Sequence, residues 1–216
     1  MTHSSVVTII DYGVGNLLSV GRAIEHCGAK VLVTSSPKSI LNSEKVILPG
    51  VGAFPNAMEA LNRLNLVSVI QEFAQLERPM LAICLGMQLL MEESEEFGLS
   101  PGLGIIQGRV VPIPIETLEG TRQKVPHIGW NSLYEFPEGS SWIGTLLQDN
   151  KQGDSAYFVH SYMVQPTNPE NEIAVSIYGG RRISAVTSKG LVTGCQFHPE
   201  KSGEVGLKIL RRFVTK

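Results

Sequence analysis

A thiol, an imidazole and a carboxylate stand in this sequence in settings that suit nucleophilic catalysis. The thiol is Cys84, within Leu81-Ala82-Ile83-Cys84-Leu85-Gly86-Met87-Gln88, an apolar run that breaks at Gly86 and resumes with helical spacing. That pattern predicts a strand, a tight turn and a helix, with the thiol at the turn. The other two groups stand in Gln196-Phe197-His198-Pro199-Glu200. A nucleophile, a base to serve it and an acid to orient the base are the parts of a hydrolytic triad. More than half the chain separates Cys84 from His198, so only folding brings them together.

A cysteine at such a turn projects above the carboxyl edge of a sheet, where ligands bind in open α/β folds. It also lies near a helix N-terminus, which favours a thiolate. Cys27 and Cys195 have no such context and read as structural. His3, His26 and His127 likewise read as packed or solvated. Attack on a carbonyl or carboxamide needs donors for the developing oxyanion. The Leu85 N–H at the helix start is one candidate. The Gly-rich loop Leu48-Pro49-Gly50-Val51-Gly52 offers a second, from the Val51-Gly52 segment.

The elements that position these groups are visible as periodicities. Short apolar runs at Val6 to Ile10, Val31 to Val33, Val46 to Leu48 and Met80 to Ile83 alternate with helical patterns. Helices are expected from Leu17 towards Gly28, around Met58 to Leu64, around Val67 to Phe73 and over Gly86 to Glu93. This order predicts a parallel sheet covered by helices on both faces. The second half reads as strands at Ile105 to Val111, Val125 to Leu133, Ala156 to Val159, Ile173 to Tyr178, Ile183 to Thr187 and Leu191 to Phe197. Gly179-Gly180 marks a hairpin. These strands are expected to form an antiparallel extension of the sheet, closed by a helix over Val205 to Phe213. No boundary is evident, so residues 1–216 are expected to form one domain.

With 216 residues, 43% hydrophobic and 18% charged, the chain has material for a sizeable core. A net charge of −2 without basic stripes gives no case for nucleic-acid binding. Three scattered cysteines do not make a disulfide framework. With no signal-peptide pattern and no long apolar span, a cytoplasmic protein without membrane contact is expected. Gly13-Val14-Gly15 is half of a dinucleotide fingerprint, but Leu18 stands at the third glycine and no acid follows the second strand.

Together these residues resemble the class I, triad-type glutamine amidotransferases. The nucleophile motif Gly-x-Cys-x-Gly-x-Gln stands here as Ala82 to Gln88, with Ala82 at the first glycine. The Pro-Gly-x-Gly loop and the terminal His-Pro-Glu match fully. The resemblance implies a flavodoxin-like α/β domain that hydrolyses glutamine through Cys84, His198 and Glu200, with no cofactor and no metal. It also implies that Gln88 and Glu96 recognise the main-chain groups of glutamine, and that His160, Ser161 and Tyr162 line its pocket. Asp11 to Leu17, Pro126 to Asn131 and Tyr157 to Tyr162 are similar to segments of the histidine-biosynthetic branch, whose members feed ammonia to a (β/α)₈ cyclase subunit. Asn16, Pro126, His127, Gly129, Trp130 and Asn131 are then expected to face that partner. Branches serving anthranilate or pyridoxal phosphate synthases, and other cysteine hydrolases of this fold, are the alternatives.

Overall fold

The structure, a computed structural model, describes residues 5–216, so His3 lies outside it. Its first half runs β1 (Val6–Ile10), α1 (Leu17–His26), β2 (Lys30–Thr34), α2 (Pro37–Leu41), β3 (Lys45–Gly50), α3 (Phe54–Arg63), α4 (Val67–Gln75), β4 (Met80–Cys84) and α5 (Leu85–Leu89). Its second half runs β5 (Glu93–Ser94), β6 (Ser100–Pro101), β7 (Gly108–Pro112), β8 (His127–Ser132), β9 (Tyr134–Glu135), β10 (Ser155–His160), β11 (Tyr162–Pro166), β12 (Glu172–Tyr178), β13 (Arg181–Lys189), β14 (Val192–Cys195) and α6 (Gly203–Thr215).

An eight-stranded sheet has the order β2-β1-β3-β4-β14-β13-β12-β9. Its first five strands are parallel and its last three antiparallel. The central parallel strands β3, β4 and β14 are buried on both faces, and their successive residues point to opposite cores. Val46, Leu48, Met80 and Ala82 pack with α3, α4 and α5 through Phe54, Leu61, Ile70 and Phe73. Ile47, Leu81 and Ile83 pack on the other face with α1 and α6 through Val20, Ile24, Ile209 and Phe213. Ala82 is a fully buried strand residue that belongs to the core on the α3 and α4 side of the sheet.

The expected antiparallel extension is present in β12, β13 and β9. The Gly179-Gly180 hairpin pairs Tyr178 with Arg181, and both glycines have positive φ, as a two-residue turn requires. The other expected strands do not join this sheet. The strands β8 and β10 form their own antiparallel ribbon, and β11, β7, β5 and β6 form a separate four-stranded sheet. The expected helix over Gly86 to Glu93 stops at Leu89. Leu89, Leu90 and Met91 are buried together, with no solvent-facing side to continue a surface helix. The strand expected from Ile105 starts only at Gly108. The amides of Leu103, Gly104, Ile105 and Ile106 instead bond to the carbonyls of Leu89, Leu90 and Met91, which the end of α5 leaves unpaired. Helix α2 was not expected, although Ser36 caps it and Pro37 opens it.

The turn after β4 is packed without room for side chains. A Cβ on Gly86 would sit 2.0 Å from the Leu48 carbonyl oxygen, and one on Gly50 would sit 2.8 Å from the Gly86 nitrogen. Gly86→Ala must therefore push β3 and α5 apart. It is expected to cost at least about 3 kcal/mol, read from urea denaturation. A loss under about 1 kcal/mol would show that the Leu48 carbonyl retreats freely.

Candidate active site

The parallel register explains why distant groups converge. The strands β3, β4 and β14 lie side by side and run the same way, so the residues just beyond their carboxyl ends gather at one edge. Cys84 ends β4 and caps α5, with φ +54° and ψ −112°. A non-glycine residue in that region costs roughly 1–3 kcal/mol and is held there by its surroundings. Here the holding contact is the Gly50–Gly86 approach. The Cys84 sulfur lies 4.0 Å from the Val159 carbonyl and 3.9 Å from Gln196 Nε2.

His198 stands three residues beyond β14, and its amide bonds to the Tyr157 carbonyl. Ser202 Oγ clamps the same backbone, donating to the His198 carbonyl and accepting from the Tyr157 amide. The side chain of His198 is buried, and its Nδ1 meets Glu200 Oε1 at 2.7 Å. Burial alone would push this imidazole down. Hydrogen bonds to Cys84 and Glu200, and the negative charge each carries when ionised, outweigh it and hold the group at about 9. With Nδ1 committed to Glu200, Nε2 is the nitrogen left to serve Cys84.

These groups open onto a cavity of about 410 Å³, large enough for an amino acid. Val51, Gly52, Leu85, Gln88, Glu96, Pro126, His160, Ser161 and Tyr162 line it beside Cys84 and His198. Among the described residues no cluster of His, Cys, Asp or Glu fits a metal ion, and no helix is long and apolar enough to cross a membrane.

Comparison with known proteins agrees with this geometry. The family model for glutamine amidotransferase class-I matches residues 8–216. The chain belongs to the class-I glutamine amidotransferase family. It is 48% identical to imidazole glycerol phosphate synthase subunit HisH 1 of Legionella pneumophila (strain Lens), over 97% of this chain and 99% of that one. It is also 48% identical to the subunit HisH of Methanosarcina acetivorans, over 96% and 97% of the two chains. Among solved structures, PurLQS from Thermotoga maritima superposes with a TM-score of 0.70 at 16% identity, covering 98% of both chains, a likeness of fold.

Within this amidotransferase fold several residues do more than their motifs suggested. Glu96 Oε2 accepts from the Phe54 amide and so caps α3, whose Ala53 cap position offers no side-chain acceptor. Asn16 spends its side-chain oxygen on the Ser19 amide as the cap of α1. The Tyr12 hydroxyl donates to the Pro49 carbonyl and pins the loop after β3. Val159, within the Tyr157 to Tyr162 segment, also lines the cavity, as does Lys201, which motif reasoning did not single out.

The resemblance places His127 at a partner face, but it lies inside, as its reading as a packed residue has it. It is buried, stacked 4.1 Å from Tyr178 and 5.0 Å from Phe158. Strand alternation sends His127 inward while Ile128 and Trp130, each 59% exposed, point outward. Pro126 is exposed, and Gly129 and Asn131 are half-buried. His127 Nδ1 meets His160 Nε2 at 3.0 Å, and His160 Nδ1 meets the Tyr162 carbonyl at 2.8 Å. A carbonyl only accepts, so His160 carries its proton on Nδ1 and receives one from His127 at Nε2. The remaining His127 Nε2 accepts from Asn131 Nδ2 at 3.4 Å. Every link is satisfied with both rings neutral. Burial is the main reason His127 is held down at about 4 and His160 at about 3.

A histidine kept neutral by folding binds fewer protons than in the unfolded chain. Stability is therefore lost as pH falls from about 6.5 towards those values. His198, shifted upward to about 9, is charged in the folded state throughout this window and fully charged in the unfolded state only below about pH 5.5, so it opposes the fall near pH 6.5 and adds no slope below that. Denaturation midpoints are expected to fall between about pH 6.5 and 4.5, and the fall should be shallower by up to one proton in His127→Leu. Parallel pH profiles for parent and variant would contradict a neutral pair.

Proposed function

We propose that this chain is the glutaminase subunit of an imidazole glycerol phosphate synthase. Cys84 and His198 on the wall of one amino-acid-sized cavity, with Glu200 bonded to His198 Nδ1, carry the chemistry. Identity near 48% to synthase subunits over almost the full length favours this synthase over those that make anthranilate or pyridoxal phosphate.

Glutamine binds with its side-chain carboxamide over Cys84 and its main-chain groups towards Gln88, Glu96 and the His160 to Tyr162 segment. The thiolate attacks the carboxamide carbon, and the oxygen takes the negative charge beside Leu85 and the Val51-Gly52 segment. His198, charged near neutrality and oriented by Glu200, protonates the leaving nitrogen. Ammonia departs and a glutamyl thioester remains. His198 then accepts a proton from water, which attacks the thioester, and glutamate leaves with the thiol restored.

Ammonia released into water at neutral pH becomes ammonium, which has no lone pair to attack with. The product must pass directly to a consumer. The reading assigns that role to a (β/α)₈ cyclase partner that converts PRFAR into imidazole glycerol phosphate and AICAR. Ile128 and Trp130 form the exposed apolar part of the proposed docking face.

Cys84→Ala is expected to abolish glutamine hydrolysis while the complex still forms imidazole glycerol phosphate from added ammonium salt. Residual glutaminase activity in that variant would remove Cys84 from the mechanism. Trp130→Ala is expected to weaken cyclase binding by at least about tenfold, measured by calorimetry. Unchanged affinity together with stoichiometric ammonia transfer would move the interface elsewhere.

A further inference from the structure

Gln196 has no accessible surface, yet its side chain is polar at both ends. Burying an unpaired amide is costly, so both ends need partners. They have them. Gln196 Oε1 accepts from Gln88 Nε2 at 3.0 Å, and Gln196 Nε2 lies 3.9 Å from the Cys84 sulfur. The strand register places it there. Cys195 pairs with Ile83, so the next residue of each strand meets at the sheet edge. Gln196 and His198, two apart, share the cavity side, while Phe197 packs into the opposite core.

The direction of both amides is set by one backbone atom. Gln88 Nε2 also donates to the Tyr162 carbonyl at 3.0 Å. A carbonyl cannot donate, so the nitrogen of Gln88 must occupy that end. The Gln196 atom facing it must then be the oxygen, which leaves the Gln196 nitrogen towards sulfur. Gln88 Oε1 is then the end left to accept at the cavity wall.

We propose that Gln196 is a positioning residue for glutamine hydrolysis, donating to the Cys84 sulfur and locking Gln88 with its oxygen towards the substrate. The inference rests on the glutaminase reading of the cavity. The neutral thiol has the Val159 carbonyl as its acceptor. The thiolate has no proton to give and gains from the Gln196 N–H instead, so the contact strengthens as the nucleophile forms. The other charged or titratable groups around the sulfur are His198 with its partner Glu200, His160, Tyr162, Lys201, Glu96 and Tyr12, and none of their side chains takes the Gln196 amide as a partner. An amide that touches both Gln88 and the sulfur links substrate recognition to nucleophile formation within one side chain.

The test uses the full chain with its cyclase. Gln196→Leu and Gln196→Met fill the volume and remove both hydrogen bonds. The expected result is a fall of roughly tenfold in Cys84 alkylation by iodoacetamide at neutral pH, with the alkylation profile moved to higher pH. The KM for glutamine should rise by a similar factor, with little change in thermal stability. Alkylation, its pH profile and KM all within twofold of the parent would overturn the proposal. Where neither variant folds, the parent decides. The Gln196 side-chain amide resonances should shift with Cys84 ionisation and not in Cys84→Ser, whereas resonances blind to pH would overturn it. A parent that fails to hydrolyse glutamine sinks the glutaminase reading, while the alkylation and amide measurements still decide whether Gln196 serves the sulfur.

Discussion

The site depends on one contact in which two backbones touch. Gly50 at the end of β3 and Gly86 in the first turn of α5 leave no space for a methyl group between them. That approach puts α5 directly over the strand edge and forces Cys84 into a backbone conformation that an isolated chain avoids. The strain is localised at the residue that carries the sulfur, and the cores on both sides of the sheet maintain it. Leu85 and Met87 are anchored in one core, and Ile83 and Cys84 border the other. A loosening at either glycine would let the turn relax, and the sulfur would leave the edge where His198 meets it.

Around that fixed point the polar groups are ordered by what each can and cannot donate. The Tyr162 carbonyl accepts from Gln88 and from His160, and those two bonds set the sense of everything beyond them. On one side the order passes through Gln88 and Gln196 to Cys84. On the other it passes through His160 and His127 to Asn131. Low polarity makes a mismatched link expensive, so the network has a single consistent arrangement. His198 is treated differently. It is buried like the other two histidines, but it faces a carboxylate and a thiol, and it is held charged near neutrality where they are held neutral. Burial alone does not decide the charge of an imidazole here; the partner on each nitrogen does.

Much of this was legible in the sequence because it is local. A strand, a glycine and a helix read directly from Met80 to Gln88, and Pro199 between His198 and Glu200 marks the end of a ladder with a carboxylate in reach of the ring. What was illegible depends on pairing. Nothing in His127 or His160 taken singly reveals that β8 and β10 bring them together. Gln196 sat in plain view two residues before His198, but its worth depends on the register of β14 against β4. Leu103 to Ile106 has the composition of a strand, and only the position of the α5 carbonyls turns it into a cap. Glu96 stands among other acids that suggest a solvated face, yet it reaches across to the Phe54 amide.

The same alternation that sends His127 inward explains why the segment from Pro126 to Asn131 can serve two surfaces at once. Successive residues of β8 face opposite ways, so each outward side chain is flanked by inward ones. Ile128 and Trp130 present apolar area to solvent, with Trp130 resting its edge on Tyr157. Between and beside them His127 and Asn131 hold the far end of the hydrogen-bond chain that begins at the Tyr162 carbonyl. The exposed Trp130 on β8 and the cavity-lining His160 on β10 thus belong to one two-stranded ribbon.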